Sequence, residues 1–333
     1  MLRKKLAAFA AMTVLAAGAL TGCGAAAGDD EVVVGYSGYT LANPFFAGLV
    51  KGLELGAEEH GYKLVTTNSN GDNNAQVSDV QNLISQGVDY IVICPGDGKA
   101  IASAVKQASN AGIPVIAIAD YIDSDLVTQT ITADHVEVGA LSAEQLVKFL
   151  EEKNGAPEGK IVNIQGLAGV PATNYREEGL QSVISEYPGI EVVATADGGF
   201  DTDKAFQVMS TILQAHSDID AVFTANDAEA AGVTKALEAA GLFVPVGEDG
   251  HIFVTGNDAP SATIADIRAN RQDVSVSMQP ITMSMTAMDE IAKLIDGQEI
   301  EELIISPIMV ITPANIDSPE VQEFGIWADQ ITE

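Results

Sequence analysis

The chain has 333 residues, a length that suits two domains with sizeable buried cores. It carries 16 Lys and Arg residues against 47 Asp and Glu residues, a formal net charge of −31. This charge excludes nucleic acid as a partner, because both molecules would be polyanions. The acidity is interpreted as a solvated surface with no specific role at a site.

Residues 1 to 22 are predicted to be a signal peptide. A basic start precedes an apolar run from Leu6 to Leu20, which is too short for a confident membrane span. The ending Leu20-Thr21-Gly22-Cys23 resembles the bacterial lipobox, in which the cysteine is acylated and becomes the first mature residue. An ordinary signal peptide followed by a chance cysteine is the alternative.

Residues 23 to 30 are predicted to be a lipid-anchored tether, since small residues after Cys23 suit an anchor better than a fold. Two or more acyl chains hold a protein stably at a membrane. The predicted location is therefore the outer face of the bacterial cytoplasmic membrane, at the cell surface or in the periplasm. After acylation only Cys94 remains, so no intrachain disulfide is possible. Cys94 ends an apolar strand and is interpreted as a packed small residue.

The body of the chain alternates short β-branched runs with longer segments of helical periodicity. In the segment from Asn74 to Gln86, apolar residues recur at helical spacing. Strict alternation of strand and helix predicts an α/β fold of parallel sheets with helices on both faces. The predicted strands are Val32 to Tyr36, Lys63 to Thr67, Tyr90 to Ile93, Val115 to Ala119, Lys160 to Gln165, Ile190 to Ala196, Ala221 to Thr224, Ile252 to Gly256 and Val274 to Met278.

An internal repeat predicts two lobes of one topology. A helix starting at Asp72 leads to the strand and polar loop of residues 89–97, and about 130 residues later a helix starting at Asp201 leads to a matching strand and loop at 220–227. The alternative is that any two strand–helix–strand units look alike. The matched spacing of the acidic residues favours two similar lobes.

Polar and aromatic residues gather where the predicted strands end. Ligands of open parallel sheets bind beyond these carboxyl ends. Amides, carboxylates and an arginine can engage vicinal hydroxyls, and aromatic rings can cover the C–H face of a sugar. The sequence therefore predicts a polyol site built from Asn43, Phe45, Phe46, Asp120, Tyr121, Asn174, Arg176, Phe200, Asn226, Asp258 and Gln279.

Simpler roles remain open for several residues at these strand ends. Asp97, Asp227 and Asn257 are interpreted as helix caps or turn formers. One of Phe45 and Phe46 is expected in the core of the first helix. Arg176 could pair with an acid on a helix surface.

At these positions the chain resembles the periplasmic sugar-binding proteins of bacterial ABC importers, of the ribose and galactose type I class. The resemblance runs from about Val32 to Thr312, and its most specific pieces are Asn43-Pro44-Phe45-Phe46, Gln86-Gly87-Val88-Asp89, Asn110-Ala111-Gly112-Ile113-Pro114-Val115, residues 221–227 and Gly256-Asn257-Asp258. It implies two Rossmann-like lobes joined by a three-strand hinge. The implied N-terminal lobe is residues 31–133 with 280–309, and the C-terminal lobe is residues 134–279 with 310–333.

The resemblance also implies the roles of individual residues. Asn43, Phe45, Phe46, Asp120, Asn226 and Asp258 match positions that bond to or stack on the sugar, Phe200 matches another stacking aromatic, and Asn174 and Arg176 match polar ligand-binding positions. The chain departs from the ribose binders at two places, where Tyr121 replaces an arginine and Cys94 replaces an asparagine. Aligned on Pro280, either Met278 or Gln279 faces the pocket. Residues 242–250 are longer than in the family and are expected to form a surface loop.

Enzyme motifs are incomplete in this sequence. The segment Gly35 to Tyr39 lacks the last glycine of a nucleophile elbow, and the four histidines have no metal-ligand spacing. We expect a lipid-anchored, monomeric substrate-binding protein of an ABC importer that closes on a monosaccharide or polyol and delivers it to a membrane permease. No catalytic residue, metal or cofactor is expected. The alternatives are a surface-anchored α/β enzyme acting on a small metabolite, and a sugar sensor for a signalling partner.

Overall fold

The structure is a computed structural model that describes residues 31 to 330. The predicted signal peptide, Cys23 and the tether lie outside the described residues. Within the described range, every helix is too short or too polar to cross a bilayer.

Twelve strands and ten α-helices alternate along the described chain. The strands are β1 (Val33–Gly38), β2 (Lys63–Asn68), β3 (Tyr90–Cys94), β4 (Val115–Ile118), β5 (Gln129–Thr132), β6 (Gly159–Gln165), β7 (Ile190–Asp197), β8 (Ala221–Thr224), β9 (Phe253–Val254), β10 (Ser275–Met278), β11 (Leu303–Ile305) and β12 (Ile308–Ile311). The helices are α1 (Pro44–His60), α2 (Asn73–Gln86), α3 (Ala102–Asn110), α4 (His135–Asn154), α5 (Pro171–Ile184), α6 (Thr202–Ala215), α7 (Asp227–Ala239), α8 (Ser261–Arg268), α9 (Pro280–Ile295) and α10 (Pro319–Phe324), followed by a 3₁₀ helix (Trp327–Gln330).

Two parallel sheets define two lobes. The first sheet has the order β11-β5-β4-β3-β1-β2, and we call the body built on it the N-lobe. The second has the order β7-β6-β8-β9 and forms the C-lobe. A bridge between Asn257 and Val276 continues the second sheet towards β10. The predicted two-lobe α/β fold is confirmed in this respect.

The two predicted parallel sheets are confirmed, and β10 and β12 form a separate two-stranded antiparallel sheet. The sequence reading missed β5, β11 and β12, because they have only three or four residues each and lack a long intervening helix. The strand predicted from Ile252 to Gly256 is only Phe253–Val254. Residues 242–250 form a connection without helix or strand, as expected.

The chain passes between the two sheets three times. The crossings follow β5, β10 and β11, between residues 132–135, 278–280 and 305–308. The boundary predicted at residues 309 and 310 falls inside β12, because all of β12 pairs with β10. The third crossing therefore lies at Ser306 and Pro307, three residues earlier than predicted.

Each lobe has its own apolar core, and close helix packing positions the elements that reach the cleft. In the N-lobe, Gly52 of α1 leaves no room for a side chain against the backbone of Ile281 in α9. In the C-lobe, Gly139 of α4 lies directly against the backbone of Arg176 in α5, and Gly179 lies against Val136. These close contacts between α4 and α5 fix the position of the helix face that carries Arg176.

Candidate functional site

A cavity of about 570 Å³ lies between the lobes, at the carboxyl ends of the parallel strands. Both lobes contribute to its wall. Eight of the eleven residues predicted from the sequence line it, namely Asn43, Phe45, Phe46, Asp120, Arg176, Phe200, Asn226 and Asp258. Tyr39 and Cys94 lie on the same wall.

The first turn of α1 forms part of the N-lobe wall. Asn43 caps the helix, because its Oδ1 accepts a hydrogen bond from the Phe45 amide at 2.9 Å, and Pro44 suits the first helical position. Phe45 packs into the N-lobe core, whereas Phe46 is half-buried. The two rings meet edge to face with centroids 6.0 Å apart, and both reach the cavity.

Asp120 follows β4 and connects the two lobes. The preceding Ala119 has a left-handed φ of 69°, which turns the chain towards the cavity. Asp120 Oδ1 accepts from the Tyr121 amide at 2.8 Å, and Oδ2 accepts from the Ala172 amide of the C-lobe at 3.1 Å. Burial raises the pKa of Asp120 to about 6, against the opposing effects of these two bonds and of Arg176.

Arg176 is the buried cation of the C-lobe wall, with 4% of its surface exposed. Its Nη1 donates to the Ala225 carbonyl at 2.6 Å, and Nη2 lies 4.0 Å from Asp258 Oδ1. The guanidinium lies 5.8 Å from the centroid of the Phe200 ring. Its Nε is buried without a hydrogen-bond partner among the described residues. The surface ion pair considered for Arg176 is therefore wrong, because the side chain points into the cleft.

His135 is a cavity residue that the sequence reading missed. Its Nε2 lies 2.9 Å from the Ala119 carbonyl, which can only accept, so Nε2 carries the proton. Nδ1 is then an acceptor facing Arg176 Nη2 at 3.4 Å. Burial, together with Arg176, lowers the pKa of His135 to about 3, so the ring is neutral. His135 follows a chain crossing directly, but as one of four scattered histidines it gave no spacing signal.

Asp258 and Asn226 form the acceptor pair of the C-lobe. Asn226 caps α7 with Oδ1, which accepts from the Glu229 amide at 3.0 Å, and its Nδ2 donates to Asp258 Oδ2 at 3.4 Å. Burial raises the pKa of Asp258 to about 7, while Arg176 and the amides of Asn226 and Asn43 oppose the rise. Asp258 has a φ of 112°, a strained conformation for a residue with a side chain.

Glu229 is a second residue that the sequence reading missed. Its carboxylate is fully buried and joins two loops of the C-lobe wall. Oε1 accepts from the Phe200 amide at 2.8 Å, and Oε2 accepts from the Ala225 amide at 2.9 Å. Burial raises the pKa of Glu229 to about 8. Its position three residues after the cap Asn226 is that of a capping box, a pattern from which it could have been found.

The three residues interpreted as caps or turn formers differ from one another. Asp97 caps its own turn, accepting from the Lys99 and Ala100 amides at 2.8 and 3.0 Å. Asn257 accepts from Ser142 Oγ at 2.9 Å and so ties α4 to the sheet. Asp227 is buried inside α7 and is not the cap, since its carboxylate accepts from Ser275 Oγ at 2.6 Å and from the Ala259 amide at 2.7 Å.

Tyr121, Asn174 and Gln279 do not line the cavity, contrary to prediction. The Tyr121 ring turns towards Tyr175 of the C-lobe, with centroids 5.7 Å apart. Asn174 is on the exposed face of α5. Gln279 Nε2 instead donates to the carbonyls of residues 324 and 325, at 3.1 and 2.6 Å.

Met278 and Gln279 are the two candidates for the pocket glutamine position, and neither lines the cavity. Met278 is buried, and its Sδ lies 3.5 Å from Arg176 Nη2. Cys94 takes a place on the wall as a buried thiol, whose pKa is raised by burial and by Asp120. The wall at these positions is therefore less polar than a site with an amide at each of them.

Residues 34–299 match the family model of the periplasmic binding protein domain. The chain belongs to this family. It is 32% identical over 282 residues to the ribose import binding protein of Bacillus subtilis, covering 85% of this chain and 88% of that protein. It is 34% identical over 253 residues to the D-xylose-binding periplasmic protein of Escherichia coli, covering 73% and 72% of the two chains.

Solved structures show the same two-lobe architecture. An ABC transporter solute-binding protein from Bacillus halodurans with bound myo-inositol matches with a TM-score of 0.80 and 27% identity, covering 89% of this chain and 99% of that one. A periplasmic solute-binding protein from Actinobacillus succinogenes with bound D-allose matches with a TM-score of 0.78 and 25% identity, covering 85% and 98%. The family consists of binding proteins, so the α/β-enzyme alternative is not supported.

Proposed function

We propose that this chain is the substrate-binding protein of an ABC importer and that it binds a monosaccharide or a related polyol between its lobes. The observation that carries the proposal is the composition of the cleft. Two buried carboxylates, Asp120 and Asp258, face a cavity that also contains the guanidinium of Arg176 and is lined by aromatic rings.

Each kind of group suits one part of a sugar. A hydroxyl both donates and accepts, so it can donate to a carboxylate and accept from Arg176, whose Nε has no protein partner among the described residues. The rings of Phe46 and Phe200 can cover the C–H faces of a pyranose, a furanose or a cyclitol. Hydrogen bonds to charged groups are stronger than hydrogen bonds between neutral groups. The charged side chains of this cleft therefore favour a neutral ligand with many hydroxyl groups.

Closure of the lobes about the hinge is the proposed mechanism. Asn43 and Asp120 belong to the N-lobe, whereas Arg176, Asn226 and Asp258 belong to the C-lobe. A ligand that contacts both sets binds the closed form more tightly than the open form, and that difference shifts the population. The three crossings permit bending, and the closed form is proposed to be the state that the permease recognises.

The known relatives support the class of ligand rather than one sugar. Relatives of this chain are named for ribose and xylose, and one is a xylitol-binding protein of Mycolicibacterium smegmatis that is 28% identical over 319 residues. Cys94 lies on the wall where an amide would be more polar, and neither Tyr121 nor Met278 lines the cavity, so a pentose, a hexose and a sugar alcohol all remain within the proposal.

A ligand screen followed by scattering tests the proposal. The protein without its leader is melted with D-ribose, D-xylose, xylitol, D-allose and myo-inositol, and any hit is titrated by calorimetry. We expect reversible binding with no product, and a smaller radius of gyration at saturation by small-angle X-ray scattering. Chemical turnover of the hit would support an enzyme instead, and an unchanged scattering curve would contradict hinge closure.

We further propose that the mature protein is a monomer anchored by lipid at Cys23 to the outer face of the cytoplasmic membrane. The support is the lipobox-like sequence before Cys23 and the small-residue tether after it. Cys23→Ala should release the protein from the membrane fraction or block its processing, while leaving the affinity of the folded body unchanged. Fractionation without detergent decides this, and a variant that is processed and retained like wild type would refute the anchor.

A further inference from the structure

The segment of residues 324–328, here called the C-terminal strap, lies at the hinge and contacts both lobes. Its Trp327, the only tryptophan in the chain, is 1% exposed. The indole ring fills the space beside Gly48 of α1, where a Cβ would lie 3.0 Å from Cζ3. The indole Nε1 donates to the backbone carbonyl of Asp258 in the C-lobe at 2.6 Å. One side chain thus touches the helix that carries Asn43 and the turn that carries Asp258.

The turn at Asp258 depends on contacts from distant segments. Asp258 and Ala259 both have positive φ, at 112° and 56°, which costs free energy in residues other than glycine. The Asp258 amide donates to the Val276 carbonyl at 3.0 Å, and the Ala259 amide donates to Asp227 at 2.7 Å. The Asp258 carbonyl is held by Trp327. Because Asp258 is buried, a carbonyl released from this bond would lose a partner without gaining water.

The strap is itself held at one crossing of the hinge. Gln279 lies between β10 and α9, is 3% exposed, and donates its side-chain amide to the carbonyls of Phe324 and Gly325 at 3.1 and 2.6 Å. An apolar cluster surrounds the strap and draws on both lobes, with Ala259, Ile264, Ile267, Ile281, Ile311, Ile316, Val321, Ile326, Trp327 and Ala328 as its buried members. The strap is therefore tied to the segment that bends.

We propose that Trp327 is a positioning residue of the binding site, which holds the strained turn of Asp258 in its ligand-binding conformation, and that Gln279 holds the strap in place for it. The inference rests on the proposed function, since it concerns the same cleft. Trp327 does not line the cavity between the lobes and acts through the Asp258 backbone. Removal of its N–H should weaken binding even though no group that faces the ligand has changed.

Trp327→Phe keeps an aromatic ring and removes the N–H donor. Val321→Ala is the matched control, because Val321 is buried in the same cluster and its side chain makes no hydrogen bond to the turn. Both variants should melt at lower temperature. In calorimetric titrations with D-ribose, D-xylose and myo-inositol, the sugar that binds wild type should bind Trp327→Phe about tenfold more weakly and Val321→Ala with unchanged affinity. Gln279→Leu, which frees the strap, should weaken binding in the same direction.

Hydrogen exchange of the ligand-free protein tests the strap separately from the proposed function. The amides of residues 257–259 should exchange faster in Trp327→Phe than in wild type or Val321→Ala. If wild type binds none of the sugars, the proposed function fails while the exchange result still decides whether Trp327 holds the turn. Exchange at residues 257–259 that is as slow in Trp327→Phe as in wild type, or equal loss of affinity in Trp327→Phe and Val321→Ala, would overturn the inference.

Discussion

The two walls of the cleft are held in place by different means. On the N-lobe wall, Asn43 and Asp120 each bond to a backbone amide one or two residues along the chain, Asp120 also accepts from the Ala172 amide of the C-lobe, and aromatic rings of α1 supply part of the surface. On the C-lobe wall, Glu229 joins two loops and Arg176 bonds to a third element, so the polar groups are fixed by long-range contacts. Under the proposed closure, a ligand that binds the C-lobe first would meet groups already in place, and closure would then add the N-lobe wall.

Of the variants predicted below, Arg176→Met should weaken ligand binding the most. It removes the cation that lies 4.0 Å from Asp258 and bonds to the Ala225 carbonyl, and it leaves buried carboxylates without a counter-charge. We expect a loss of about 3 kcal/mol in binding, roughly a hundredfold in Kd by calorimetry. Arg268→Met, at an exposed arginine, is the control and should bind like wild type. Equal affinity in the two variants would mean that Arg176 has no part in the site.

Asp258→Ala and Asp120→Ala compare the walls directly. Each should cost about 1.5 to 3 kcal/mol of binding, because each removes an ionised acceptor of hydroxyl bonds. We expect Asp258 to lie at the upper end of that range, since its loss also leaves the Asn226 amide without its acceptor and Arg176 without the carboxylate 4.0 Å away. Asp123→Ala changes an exposed carboxylate near Asp120 and serves as the control. A larger loss of binding free energy in Asp120→Ala than in Asp258→Ala would mean that the N-lobe wall contributes more to binding than the C-lobe wall.

The affinity should rise with pH between about 6 and 8. Burial raises the pKa of Asp258 to about 7 and that of Asp120 to about 6, so lowering the pH protonates acceptors that ligand hydroxyls need. Because ligand bonds favour the ionised form, we expect roughly a tenfold weaker Kd at pH 6 than at pH 8. In Asp258→Asn, the change of Kd with pH around pH 7 should be absent. A Kd that is flat in wild type from pH 6 to 8 would contradict the raised pKa of Asp258.

The same raised pKa values have the opposite effect on the unliganded fold. A folded-state pKa above the ordinary value of 3.8 means that the folded protein binds protons more tightly than the unfolded chain. The contribution of Asp258 and Asp120 to stability is therefore greatest at low pH and declines as the pH rises from about 4 to about 7. Melting temperatures of wild type and Asp258→Asn across this range separate the two effects.

Aromatic truncation should give the smallest effect. Phe200→Ala and Phe46→Ala should each weaken binding about threefold to tenfold through lost stacking. Phe200 should matter more, because its ring also lies 5.8 Å from the Arg176 guanidinium. Phe45 is unsuited to this comparison, since it belongs to the N-lobe core and its loss would destabilise the lobe. Calorimetry together with a melting curve separates the two causes.

Much of the fold could be predicted from the sequence, because strict alternation of strands and helices indicates parallel sheets. The position of a residue at a strand end also predicted that Asp120, Asn226 and Asp258 would meet. Position alone does not determine the direction of a side chain. Gln279 follows β10 as predicted, but it turns to carbonyls 45 and 46 residues away. Long-range pairings such as this one, and that of His135, depend on packing that no local pattern records.

The order of strands in the N-lobe has a consequence for how the chain folds. β11 completes the edge of the first sheet beside β5, although some 170 residues separate the two strands, and β12 then pairs with β10 in a separate two-stranded sheet. Neither the first sheet nor the pair of β10 and β12 can be completed until residues 303–311 have been synthesised. A nascent chain that stops before β11 leaves the edge of β5 unpaired. The late pairing therefore leaves the N-lobe sheet incomplete until nearly all of the chain is available.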